Sequence, residues 1–320
     1  IEKYPLPWDK RDIDIAMDSW ITHEFNDSWM QENWKLTLLN AGHIPGAGML
    51  KVETDDKNIL FTGDFDTRNS PLTKGAKPED VDILFIEGTY GGRNHADQEL
   101  ELSRFIDNVI RVTDNGGTVL IPAFANGRTQ DMMMRLHQNC PELDVHIDGM
   151  GKRITKLHLE HNQFLRNPSA LNDAWNWSKS VSSKSDRKKA LESDVIISTS
   201  GMLQGGPAIW YLNRLRHNME NEIFFTGYQA KDTGGRKLQT KSRLDIFGKE
   251  VNIPLNWEKF SFSTHAGHKE ITEFVYSCDP QDVIIYHTDP NNSRPHLVEE
   301  LESNGINTHS PENGHSYIIE

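Results

Sequence analysis

Eight short apolar runs, each closed by a polar or glycine turn, limit what this chain can become: "WKLTLLNAG", "NILFTGD", "DILFIEG", "GTVLIPA", "DVHIDG", "DVIISTSG", "EIFFTG" and "DVIIYH". Short runs rich in Ile, Val, Leu and Phe read as buried strands. Between many of them the apolar residues recur at helical spacing. From Ala96 to Asp114 the residues Leu100, Phe105, Ile106, Val109 and Ile110 keep that period, and the "DNGG" that follows supplies a stop. "RTQDMMMRLHQ" and "PAIWYLNRLRHN" are alike in kind. Strand and helix alternating through the middle of a chain favour a parallel sheet covered by helices, so the expected class is α/β. An alternating strand should lead into "FSFSTHAGH". The weakly periodic stretch 162–185 is expected to be a surface excursion, and Met132 to Met134 should pack in the core with one member facing solvent.

A chain of 320 residues can bury a large core and suggests two domains, or one domain with an insertion. Its formal charge of −13 argues against a surface that clamps nucleic acid all over, because backbone binding needs lysines and arginines to neutralise phosphates. A local basic groove is compatible with that charge, with Lys152, Arg153, Lys156, the run 184–189 and the run 234–243 as its candidates. No apolar run approaches the length that crosses a bilayer, so no membrane association and a cytoplasmic location are expected. Cys140 and Cys278 build no disulfide framework and read as ordinary thiols. A start at Ile1 suggests a fragment or a processed product.

Rigid strands aim side chains into the crevice at the carboxyl edge of an α/β sheet. Four such ends here carry ionisable groups, His43, Asp64, Glu87 and His287, and His265 follows the alternating strand. Imidazoles with a carboxylate suit a borderline metal such as Zn²⁺, and a carboxylate can bridge two ions. Each residue also has a plainer role open to it. His43 could be satisfied by turn backbone, and Asp64 and Asp66 could pin a turn. His23, His137, His146, His158, His161, His217, His296 and His309 read as structural histidines.

Taken in order, "LLNAGHIPGAGML", "NILFTGDFD", "DILFIEGTYGGRNH", "GGTVLIPAFANGRTQDMMMRL", "ISTSGMLQGGPAIWYL", "FFTGYQAKDTGGRKL", "FSFSTHAGHKEITEF" and "VIIYHTDP" resemble the β-CASP branch of the metallo-β-lactamase superfamily, a group of RNA-processing nucleases. The likeness is closest to archaeal and bacterial single-chain members. It implies an αββα sandwich, incomplete at its N-terminus here, with an inserted cap of parallel sheet and helices. The expected divisions are 1–92 for the first part of the metallo-β-lactamase domain, 93–243 for the cap, and 244–320 for the returning part.

The same resemblance gives the residues roles. His43, Asp64 and His287 correspond to zinc ligands, with Asp64 bridging two ions. Asp64, Glu87 and His265 are the catalytic set, Glu87 orienting a histidine that protonates the leaving oxygen. Glycines let backbone N–H groups approach anions, so Ser200, Gly201, Gly205 and Gly206, with Tyr228, Gln229, Thr233 and Arg236 in the second glycine-rich segment, are candidates for holding RNA phosphate. Arg128 and Arg236 would add charge there, and Tyr228 could stack. The implied cofactor is two Zn²⁺ and the implied partner single-stranded RNA, and the family admits a homodimer.

Four departures accompany the likeness. The HxHxDH signature is absent and is expected upstream of Ile1, so this chain alone should bind zinc weakly and be inactive. Gly267 stands where an acid is usual, Asp232 where a glycine is usual, and "HTDP" replaces "HGE" after His287. The implied activity is zinc-dependent hydrolysis of RNA phosphodiesters, as an endo- or exoribonuclease. The alternative is a catalytically degenerate RNA-binding or scaffold member.

Overall fold

All eight apolar runs form strands, and they segregate into two sheets. The computed structural model describes residues 7–318. In chain order, α1 (Lys10–Asp18) precedes β1 (Ser28–Gln31), β2 (Trp34–Asn40), β3 (Gly48–Glu53), β4 (Asn58–Phe61) and β5 (Ile83–Glu87). Then come α2 (Gln98–Asp114), β6 (Val119–Pro122), α3 (Arg128–Asn139), β7 (Val145–Asp148), α4 (Gly151–Glu160), α5 (Pro168–Trp177), β8 (Lys179–Ser180), α6 (Lys184–Lys189) and β9 (Val195–Ser198). The chain continues through α7 (Gly206–Leu215), β10 (Glu222–Phe225), α8 (Gly234–Lys241), β11 (Arg243–Ile246), β12 (Lys249–Asn252) and β13 (Asn256–Lys259). It ends with α9 (His268–Cys278), β14 (Asp282–Tyr286), α10 (Arg294–Ser303) and β15 (Asn307–His309).

The first sheet has the order β1-β2-β3-β4-β5-β14-β15; its first four strands are antiparallel neighbours, whereas β4, β5, β14 and β15 run parallel. Strand β14 inserts beside β5 although the whole cap separates them in sequence. One face of this sheet buries Leu60, Leu84, Ile86, Val283 and Ile285 against Ile271, Phe274 and Val275 of α9 and Leu297 and Leu301 of α10. On the other face Phe61 and Phe85 stack at 4.3 Å between ring centroids and are only half-buried. Among the described residues, this half of the expected sandwich consists of one sheet with helices on one face.

The second sheet, β13-β10-β6-β9-β7-β8, is parallel throughout. It is covered on both sides. Val119, Ile121, Val195, Ile197 and Phe224 enter the core with α2, α3 and α5, while Leu120, Ile196, Ile223 and Phe225 face α7, α8 and the β11–β12 hairpin. Burial on both faces is why these strands are uninterrupted apolar runs rather than alternating ones. Among the described residues no helix is long and apolar enough to cross a membrane.

Three expectations need correction. The stretch 162–185 is not an excursion, because α5 starts at an Asn167 cap with Pro168 in its first turn and buries Leu171 and Ala174 in the cap core, and β8 extends the sheet edge. All three methionines of 132–134 are buried, since α3 is enclosed along most of its length. Cap packing does not end at 243: β13 pairs with β10, Leu244, Ile246, Ile253 and Leu255 complete one cap core, and Phe260 and Phe262 enter the other.

Candidate active site

Parallel register brings the acidic and basic strand ends together. Strands β4, β5 and β14 are adjacent, with Phe61 opposite Phe85 and Glu87 opposite Tyr286, so the chain leaves all three at one edge. Asp64 follows β4, Glu87 ends β5, and His287 follows β14 with a left-handed φ of 45°. A non-glycine residue held there stores local strain of the kind found at functional sites.

His43 reaches this edge from the loop after β2. Gly42 has φ +74°, and a Cβ on it would lie 2.2 Å from the Asp66 carbonyl oxygen, so only glycine lets the two loops cross here. The His43 Nδ1–H donates to the Thr264 carbonyl at 2.9 Å, which leaves Nε2 as its free nitrogen. Burial, then the nearby His265, holds its pKa below the ordinary value, so the ring is held in the neutral form that can donate a lone pair.

His265 sits 4.5 Å from His43 and 6.1 Å from His287 between ring centroids. Its Nδ1 lies 2.7 Å from Oε1 of Glu87. Glu87 is fully buried, and the same oxygen accepts the Phe65 N–H at 2.9 Å while its other oxygen accepts the Thr89 hydroxyl. Burial pushes the His265 pKa down, but the hydrogen bond and charge of Glu87 outweigh it, and the net shift is upward. His287 Nδ1 lies 2.7 Å from Asp64 Oδ1. Donor atoms of His43, Asp64 and His265 fall within 4.8 Å of one another, as do those of Asp64, Glu87 and His287. Two imidazoles and a shared carboxylate, with the remaining imidazole pinned by a carboxylate, are a donor set that suits zinc.

Sequence reasoning offered Asp66 only as a turn pin, which its Oδ1 does by accepting the Arg68 N–H at 2.9 Å, and missed Arg68 and His95. Asp66 takes Arg68 in a bidentate pair at 2.9 and 2.6 Å, and Arg68 Nη2 donates to the carbonyls of Ser263 and His265. His95 Nε2 donates to the same His265 carbonyl at 2.9 Å. The second aspartate of "FTGDFD" is thus the anchor of the His265 loop, and the Arg two residues on was its only local signal. The Gly267 departure has a structural counterpart: a Cβ at 267 would lie 2.5 Å from Oε2 of Glu270, whose carboxylate fills that volume from the first turn of α9. Asp232 occupies a left-handed φ of 65°, which explains a glycine preference there and the tolerance of an aspartate.

The two glycine-rich segments meet. Gln229 Nε2 donates to the Gly201 carbonyl at 2.9 Å, and the Gly235 N–H donates to Met202 at 2.8 Å. Ser200 Oγ accepts the Gln204 N–H within its own loop, and Gly205 and Gly206 open α7. Thr233 caps α8 by accepting the Arg236 N–H, whereas Arg236 and Tyr228 are exposed. Gln229 and Thr233 therefore brace the loops. Arg128 also needs correction: it is buried, with Nη1 on Asp131 at 2.7 Å and Nη2 on the Phe262 carbonyl, so its fork is committed to joining α3 to the segment before His265. A cavity of about 720 Å³ runs from His43 and His265 along Phe124, Gly127, Tyr228 and Phe262.

Comparison with known proteins accords with this geometry. The family model described as the Beta-Casp domain matches residues 129–238, and that of a Zn-dependent metallo-hydrolase RNA specificity domain matches 250–311. The Probable RNase MJ4 of Methanocaldococcus jannaschii is 34% identical over 296 residues, covering 89% of this chain and 69% of that protein. The chain belongs to the β-CASP family of the metallo-β-lactamase fold. Among other β-CASP relatives, RNase aCSPSF2 of Saccharolobus solfataricus is 34% identical over 97% of this chain and 63% of its own length. The transcription termination factor FttA of M. jannaschii is 31% identical over 88% of this chain and 49% of its own. The chain thus spans about half to two thirds of the curated relatives it matches. A protein of unknown function from Enterococcus faecalis shares the fold at 13% identity, with a TM-score of 0.54 over 92% of this chain and 66% of its own.

Proposed function

We propose that the whole protein is a zinc-dependent ribonuclease that hydrolyses phosphodiester bonds in single-stranded RNA, and that this β-CASP chain supplies its proton-transferring pair and part of its metal site. The observation that carries the proposal is the Glu87–His265 contact of 2.7 Å beside His43, Asp64 and His287. A fold needs no such constellation at a cavity edge, whereas phosphoryl transfer needs an acid, an orienting base and cation ligands together. The names of the RNase relatives point the same way.

His43, Asp64 and His287 would hold zinc, which when bound supplies Lewis acidity to a phosphoryl group and lowers the pKa of water. The chain's own steps are orientation and proton transfer. Glu87 keeps the proton on His265 Nδ1 and stabilises the imidazolium, so Nε2 is free to give its proton to the leaving oxygen. Arg68 and His95 fix the backbone of that histidine. The exposed Arg236, beside the paired glycine-rich loops, takes RNA phosphate.

Three donors do not complete two zinc sites, and donors from outside this chain would supply the rest. The 320-residue chain on its own should therefore hold zinc weakly and lack activity. Elemental analysis finding two tightly held zincs per copy of this chain would overturn that part. For the function, single-stranded RNA cleavage by the whole protein should vanish on chelation and return with Zn²⁺. Arg236→Ala should weaken RNA binding and flatten its salt dependence by about one charge. Cleavage unaffected by chelation, or an unchanged slope, would count against the respective assignment.

A further inference from the structure

Phe124 follows β6 at the carboxyl edge of the cap sheet, two residues past its end, and is 40% exposed although it is a large aromatic on a cavity wall. Its surroundings are built around the ring. A Cβ at Gly227 would lie 3.0 Å from Phe124 Cε2, and one at Gly201 would lie 2.9 Å from the Phe124 nitrogen and 3.3 Å from Cγ. Glycine at both positions lets bare backbone from the two glycine-rich loops lie against the residue. Its carbonyl accepts both the N–H and the hydroxyl of Thr129 at 3.1 and 2.7 Å, which fixes the backbone that carries the ring. The exposed surface therefore belongs to a braced ring rather than to a wandering side chain.

That ring shares its cavity with His43 and His265. Tyr228, 64% exposed, follows Gly227 on the same wall. Asn126 is exposed there too, and its amide makes no hydrogen bond to the described residues. A volume of about 720 Å³ is of the size that holds a small ligand, and an aromatic face beside an amide with free donor and acceptor is chemistry for a planar heterocycle. Resting on the ribonuclease reading above, we propose that Phe124 is the stacking platform for one nucleobase of the RNA next to the reacting phosphate, with the Asn126 amide facing the edge of that base. The platform would set the register of the strand, so that the phosphate beside the stacked base meets His265.

The test scans a single abasic nucleotide through an RNA oligonucleotide, position by position about the cleavage site, using the zinc-loaded whole protein. Equilibrium binding is read by fluorescence anisotropy, and kcat and KM by cleavage. In the wild type, removing one base adjacent to the cleaved bond should lower kcat/KM by about 5- to 100-fold, the range for a base stacked on an aromatic ring. Phe124→Leu keeps an apolar side chain without the ring, and should lower kcat/KM on the intact RNA by a similar factor while becoming indifferent to the abasic site at that one position. Phe124→Trp should keep the sensitivity. RNA bound and cleaved, with equal abasic sensitivity in wild type and Phe124→Leu, would overturn the platform and leave the ribonuclease reading standing. A whole protein that neither binds nor cleaves RNA would overturn both. A Phe124→Leu loss that is the same at every abasic position, with Phe124→Trp equally impaired, would assign Phe124 to packing.

Discussion

Replacing Glu87 by glutamine isolates one charge. Both the Phe65 N–H and the His265 Nδ1 contact Oε1 of Glu87, and the Thr89 hydroxyl contacts Oε2. A glutamine with its carbonyl oxygen in the Oε1 position keeps the first two bonds. Its amide then donates to the Thr89 hydroxyl, which can turn its proton toward the His287 carbonyl 3.4 Å away. Every hydrogen bond survives, so the fold should lose at most about 1 kcal/mol. What disappears is the counter-charge of the imidazolium. A charge-assisted bond exceeds a neutral one by roughly 1 to 2 kcal/mol, or about one pKa unit. Burial would then dominate, and the His265 pKa would fall from above its ordinary value to below it. The acid form would be scarcer by about tenfold or more above neutrality, so Glu87→Gln in the zinc-loaded whole protein should lower kcat about 10- to 100-fold near pH 7.5. Its activity maximum should move to lower pH, with KM and zinc content unchanged. The assay is a pH profile of kcat and kcat/KM beside elemental analysis. A kcat within twofold of wild type at every pH, or a loss of zinc that matches the loss of rate, would refute the reasoning.

Asp64→Ala should lose zinc together with activity, whereas His265→Ala should lose turnover with zinc near normal; equal zinc loss in both would remove the distinction between ligand and acid. Asp131 is buried between Arg128 and Arg135, and Asp131→Asn should cost about 3 to 5 kcal/mol in denaturant unfolding by leaving two buried cations against a neutral amide. A change under about 1 kcal/mol would show the pair to be screened by solvent. His158 is buried, its Nδ1 has no partner, and burial pushes its pKa down from 6.5 to about 4. A histidine folded in its neutral form contributes stability that is present above 6.5 and is lost as pH falls toward about 4. Unfolding free energies from denaturant titrations should therefore fall between about pH 7 and pH 5 by on the order of 2 kcal/mol, and His158→Leu should flatten that slope; an unchanged slope would mean that other groups carry it.

Much of this molecule was legible before any coordinates. The strands, the helices at 98–114 and 128–139, and the residue types at strand ends follow from patterns a few residues long, because burial on one or both faces dictates which neighbours are apolar. The helix α5 was hidden because only Leu171 and Ala174 are fully buried, while Ala170, Trp175 and Trp177 pack against the core only in part and interrupt the period. The end of the cap was hidden because the pairing of β13 with β10 is a long-range register that no local signal announces.

By itself, then, the chain determined most of its elements and a set of side chains able to bind a cation and move a proton. Tertiary structure alone decided that β14 lies beside β5, which places His287 next to Asp64 and Glu87. It also withdrew Arg128 from solvent and left Phe124 exposed between two glycines. The reason is physical. Element formation is set by near neighbours along the polymer, whereas a site is set by which strand edges pair and which side chains are then shut away from water, and those choices are made by packing across the whole molecule.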